Sequence, residues 1–129
     1  MGKMCLFSAV RGVVLDHGKP VVAARVEQSC EWGWNGSKGG NEVSTDSHGE
    51  FSLPAIWGRS LLGSWLPHEP VVVQTILIHF DGNTYKGWML DKRNYRENGE
   101  LGDRPISLIC RLEAPLTHHG KVYGICEPQ

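Results

Sequence analysis

Six histidines and four cysteines give this chain enough ligands and nucleophiles for metal or thiol chemistry. Their spacing argues against both. His118 and His119 are the only adjacent pair; neighbours on a strand point to opposite faces and do not readily share one metal, whereas in a loop they could. Cys126 and His79 would have to join them from elsewhere. Zinc asks for three or four converging ligands at fixed spacing, and no Cys-x-x-Cys pair is present. Asp46-Ser47-His48-Gly49-Glu50 puts two carboxylates beside an imidazole, a set suited to acid–base work or calcium. The same residues are what a β-turn wants, and the oxygen-rich spacing of a calcium loop is missing. Cys110 sits mid-strand and reads as buried. Gly33, Gly36, Gly39 and Gly40 fall in a tryptophan-bearing loop, not between a strand and a helix, so no phosphate loop is formed. The expectation is no catalytic residues, no metal, no cofactor and no enzyme.

Composition narrows the alternatives. The chain has 129 residues, is 40% hydrophobic and carries a net charge of −1. That fits one domain over 1–129 with a real core. There is no basic footprint for nucleic acid, and no apolar run long enough to span a membrane. Met1-Gly2-Lys3-Met4-Cys5-Leu6 matches neither a secretion signal nor a lipidation motif, so the expected location is the cytoplasm. There Cys5, Cys30, Cys110 and Cys126 are expected as free thiols.

Glycine and proline cut the chain into short stretches, the pattern of many short strands. The reading in order is Phe7–Leu15, a turn over 16–20, and Val21–Gln28 pairing back as a hairpin. A loop over 29–41 holds Trp32 and Trp34, and is followed by Glu42–Thr45, a tight turn at 46–49 and Glu50–Leu53. Pro54–Pro70 breaks the pattern, with helical turns expected around Arg59–Leu66. Val71–Phe80 is predicted as a central strand covered on both faces. The Asp81-Gly82-Asn83 turn leads back into Thr84–Leu90. Residues 91–103 read as an exposed polar loop, Pro105–Leu112 as a strand, and Gly120–Ile125 as a last edge strand. Seven or eight strands with no long helix predict an all-β, two-sheet antiparallel sandwich.

The first half resembles a known family. Val10-Arg11-Gly12-Val13-Val14-Leu15-Asp16-His17-Gly18-Lys19-Pro20-Val21-Val22 is followed by Thr45-Asp46-Ser47-His48-Gly49-Glu50-Phe51-Ser52-Leu53-Pro54. Over residues 7–54 this is similar to the carboxypeptidase regulatory-like domain, a transthyretin-like sandwich; Ala23-Ala24 stand where that family often has a glycine. The resemblance implies the fold and no activity. The second half resembles small bacterial proteins of unassigned function. Two enzyme families share such sandwiches, but the order and spacing of Tyr85, Tyr95, Tyr123, His118 and His119 do not match intradiol dioxygenases. Tyr123-Gly124-Ile125-Cys126 stands where hydroxyisourate hydrolases carry Tyr-Arg-Gly-Ser.

One segment resists a purely structural account, the Trp- and Leu-rich insertion at about 55–70. Either it plugs one end of the sandwich, or Trp57, Arg59, Leu61, Leu62, Trp65, Leu66, His68 and Glu69 form an interface, since Trp and Arg dominate interface hot spots. Trp32 and Trp34 form a second contact candidate, balanced against their use as loop anchors. The expected function is a protein-binding module, by analogy an immunity or inhibitor protein that neutralises a toxin or effector. The alternatives are a small metal-dependent or hydrolytic enzyme, and a structural domain that homo-oligomerises through an edge strand.

Overall fold

A computed structural model describes residues 3–33, 36, 38–59 and 70–129. Every regular element among them is a strand: β1 Lys3–Phe7, β2 Val10–Asp16, β3 Lys19–Pro20, β4 Arg25–Trp32, β5 Lys38–Ser44, β6 Glu50–Leu53, β7 Ile56–Arg59, β8 Val72–Phe80, β9 Asn83–Lys92, β10 Ile106–Arg111, β11 Thr117–His119, β12 Val122–Gly124 and β13 Cys126–Pro128. They form a six-stranded sheet ordered β11-β12-β9-β8-β4-β5. A five-stranded sheet is ordered β13-β10-β2-β3, with β6 also on β2, and β1 and β7 make a ribbon. Val10, Val14, Leu53, Ile106 and Leu108 from the five-stranded sheet meet Val26, Ile76, Ile78, Trp88 and Leu90 from the six-stranded one in a single core. The all-β sandwich is therefore the architecture.

The two turns quoted above hold the sheets together, for local reasons. The Asp46 carboxylate accepts the backbone N–H of His48 and of Glu50, each at 2.9 Å. Such an Asx turn is what aspartate favours. Gly49 sits at φ 74°, and a Cβ there would lie 2.6 Å from the Val14 carbonyl oxygen. Only glycine satisfies both demands. Thr45 Oγ1 donates to the Val21 carbonyl at 2.6 Å and accepts the Ala24 N–H at 2.9 Å. These bonds fix the point where the chain leaves one sheet for the other.

That crossing corrects the expected first hairpin. Only β3 folds back on β2. The chain then turns at Val21–Ala24 and enters the opposite sheet as β4, which pairs with β8 and β5. Four further departures follow from tertiary pairing. The first strand is broken at Ser8–Ala9, leaving β1 to pair with β7. The loop over 29–41 is largely strand, because β4 runs to Trp32 and β5 begins at Lys38. The sandwich is not wholly antiparallel, since β10 runs parallel to β2 from Ile106↔Val10 to Arg111↔Leu15. β8 is central in its sheet but covered on one face only, and Val73 is 45% exposed.

The cysteine expectation is also corrected. Cys110 and Cys126 lie opposite one another on β10 and β13 and are joined as a disulfide. Cys5 and Cys30 are free and buried, and burial pushes the Cys30 thiol above its ordinary pKa. Among the described residues no helix is long and apolar enough to cross a membrane.

Candidate functional site

Ser8, Cys5, Lys92 and Glu100 have the functional groups of a catalytic site, and the fold brings them together. Sequence reasoning missed the set, because Lys92 and Glu100 bound a polar stretch that reads as an exposed loop. In the structure β9 runs to Lys92, and the side chains of Lys92 and Glu100 are both 0% exposed with nitrogen and oxygen 3.6 Å apart. Lys92 Nζ also donates to the carbonyls of Cys5 at 2.8 Å and Arg96 at 2.7 Å. Glu100 Oε1 accepts the Ser8 hydroxyl at 2.7 Å, and Oε2 accepts the Ser8 N–H and Gln74 Nε2, each at 2.9 Å. Gln74 Nε2 reaches the Leu6 carbonyl, and its Oε1 accepts Trp88 Nε1 at 3.0 Å. Among the described residues no buried side-chain nitrogen or oxygen lacks a partner.

The groups of this arrangement are engaged with one another and with the backbone. The Ser8 hydroxyl donates to a carboxylate and accepts the Asn98 N–H at 2.8 Å, so it is both occupied and sealed from solvent. The Lys92 ammonium donates to two carbonyls and faces the Glu100 carboxylate at 3.6 Å. The network pins the 93–105 loop against β1 and β8. It also explains Trp32, whose two readings resolve toward the anchor. Trp32 is 2% exposed, donates to the Tyr95 hydroxyl at 2.8 Å and meets that ring edge-on. It is core and offers no contact surface.

The other expected contact residues separate by position. Trp57, on β7, is 41% exposed. Arg59 ends β7, but its side chain lies outside the described residues. So do Trp34, Leu61, Leu62, Trp65, Leu66, His68 and Glu69, together with the helical turns expected around them. Further apolar surface lies on the outer face of the six-stranded sheet. There Met89, 36% exposed, is registered between Tyr123 and Thr75, and Val73 lies nearby. An open groove of about 790 Å³ runs along the outside of the five-stranded sheet, with Val13 and Ile109 in its floor and Arg11, Glu50 and Ser107 around them.

Among the described residues the set able to hold a metal ion is Asp16, His17 and Glu113, whose ligand atoms lie within 4.8 Å of one another. All three are exposed and already engaged. His17 Nδ1 is 2.8 Å from Asp16 Oδ1, and the His17 N–H donates to Glu113 Oε1 at 2.9 Å. Glu113 thereby ties the β2–β3 turn to the chain after β10. His118 does not join a ligand set; its ring lies 4.7 Å from that of Tyr123.

The exposed carboxylates have a pH signature. Backbone N–H donors, Glu50 first and then His48, hold the Asp46 carboxyl below its ordinary pKa, and the His17 N–H does the same for Glu113. A depressed folded pKa adds stability that is full above the unfolded value, about 4. It is lost as pH falls through the folded value. Asp46→Asn should therefore flatten the acid limb of stability below about pH 4. Thermal midpoints of the wild type and the variant across pH 2–6 check this; parallel limbs would contradict it.

A family model described as a domain of unknown function (DUF6795) matches residues 10–115. No curated protein and no solved structure matches the chain.

Proposed function

Because the chain belongs to the DUF6795 family, whose description assigns no function, we propose from the molecule itself that it is a binding module for another protein and not an enzyme. The observation that carries this reading is the division of its side chains. The nucleophiles and buried charges of Cys5, Ser8, Lys92 and Glu100 are spent on internal bonds, while Trp57 is held 41% exposed on a paired strand. Tryptophan offers large contact area at low rotamer cost, which is why it recurs in hot spots. The carboxypeptidase regulatory-like resemblance is supported by the Thr45–Asp46–Gly49 turn, whose residues serve the fold. An immunity or inhibitor role against a toxin or effector is the form of the proposal that follows by analogy. Among the described residues the metal-enzyme alternative rests on Asp16, His17 and Glu113, which are bonded to one another.

A photo-crosslinking amino acid at position 57 should trap one discrete protein from a lysate of the native host. The same probe at Val22, 51% exposed, should not. With that partner purified, Trp57→Ala should weaken binding by about 30-fold, the scale of a 2 kcal/mol hot spot. Equal adducts at both positions, or none at 57, would defeat the proposal.

A further inference from the structure

Three segments distant in sequence border an open hollow of about 440 Å³ at one end of the molecule. They are Glu100–Arg104 of the pinned loop, His119–Val122 of the β11–β12 turn, and Glu127–Pro128 of β13. Three nitrogen-bearing side chains line it: Arg104, Lys121 and His119. The acidic residues around it have cationic partners of their own. The Glu100 carboxylate points inward, fully buried, onto Ser8, Gln74 and Lys92. The Glu127 carboxylate is 3.5 Å from Arg111 Nη1. Nearby Asp103 is 3.6 Å from Arg96 Nε.

We propose that this hollow binds a compact, multiply charged oxyanion, the phosphate group of a small molecule. A guanidinium presents a planar fork that matches two phosphate oxygens, and an ammonium beside it acts as a mobile point charge. Arg104 is held at two points, because Nε donates to the Leu101 carbonyl at 3.3 Å and Nη1 to a main-chain oxygen of Gln129 at 3.5 Å. The rigidity of the wall comes from the buried network that clamps Glu100, only four residues before Arg104. Lys121 follows Gly120 in the two-residue turn that joins β11 to β12, so its placement is set by a hairpin and not by a long loop. The site is independent of Trp57 and of any protein partner.

Calorimetric titration at constant ionic strength tests it, with inorganic phosphate, pyrophosphate and glycerol 3-phosphate as separate probes. Saturable binding of at least one is expected, and the tightest of them shows whether the phosphate is free or esterified. Arg104→Gln and Lys121→Gln should each weaken it at least tenfold, while Lys19→Gln, on the distant β2–β3 hairpin, leaves it unchanged. Should Arg104→Gln unfold the chain, the wild-type amide resonances of Gly102 and Gly120 should still shift saturably with phosphate. Absence of saturation with every probe, or equal weakening by Lys19→Gln, overturns the proposal.

Discussion

Replacing Lys92 by Met while Glu100 stays in place should cost about 3–5 kcal/mol, the penalty of stripping one partner from a buried ion pair. The reason is geometric. The Glu100 side chain is fully buried, and its carboxylate would keep the Ser8 and Gln74 donors but lose the Lys92 counter-charge. The carbonyls of Cys5 and Arg96 would lose their donor at the same time, each unmade bond adding about 1 kcal/mol. The double variant Lys92→Met/Glu100→Gln should cost clearly less than the sum of its single changes, because it removes the uncompensated charge. Urea unfolding of the four proteins gives the coupling energy directly. If Lys92→Met costs less than 1 kcal/mol, or the two changes simply add, then the pair is not buried and coupled as described. A domain of this kind has roughly 5–15 kcal/mol of total stability, so the pair decides a large share of it. The clamp also has a local consequence: Tyr95 and Arg104 belong to the loop that it fixes, so loosening it should disturb the support of Trp32 and the wall of the anion hollow together.

What the sequence makes legible is what is local. Asp46, Gly49 and the 16–20 turn act over a few residues, and their types state the backbone they need. The alternation of Phe51 and Leu53 states which face is buried, and the structure buries both. The Asp81-Gly82-Asn83 turn likewise announces the β8–β9 hairpin. The features that stay hidden are those whose partners lie far away along the chain. Ser8 and Glu100 are 92 residues apart, and a lysine beside an arginine reads as surface until β1 is seen crossing beneath it. Trp32 becomes an anchor only through Tyr95, 63 residues on. The parallel pairing of β2 with β10 leaves no trace in either strand, because a half-buried strand alternates in the same way whichever direction its neighbour runs. The two proposed sites fare differently. Trp57 is legible by its type, while Arg104, Lys121 and His119 are scattered side chains that only the meeting of three segments gathers.

The disulfide is the second feature with a large expected effect, and it too depends on register. Cys110 and Cys126 are 16 residues apart, with no motif between them. They meet because the chain leaves β12 on the six-stranded sheet and arrives at β13 on the five-stranded one within a few residues. Ile125 still donates its N–H to Lys86 on β9, so the bond clasps the segment that bridges the two sheets. Gly87, at the irregularity in β9, makes room for it, since a Cβ there would lie 2.8 Å from Cys126 Sγ. Closing a loop of this length restricts the unfolded chain by about 3 kcal/mol in the chain-entropy account. Reduction, or Cys126→Ser, should therefore lower the thermal midpoint by on the order of 10 °C for a domain of this size. Loss should begin at the end: β13 is short and, among the described residues, pairs with β10 alone, so the amide of Gln129, bonded to Ser107, should exchange with solvent faster after reduction than the amides of β8. Thermal melts with and without a dithiol reductant, and hydrogen exchange on the same samples, read both effects. Identical midpoints would remove the clasp, as would four titratable thiols in the unreduced, denatured protein, and either result would restore the free-thiol chemistry that the composition alone suggests.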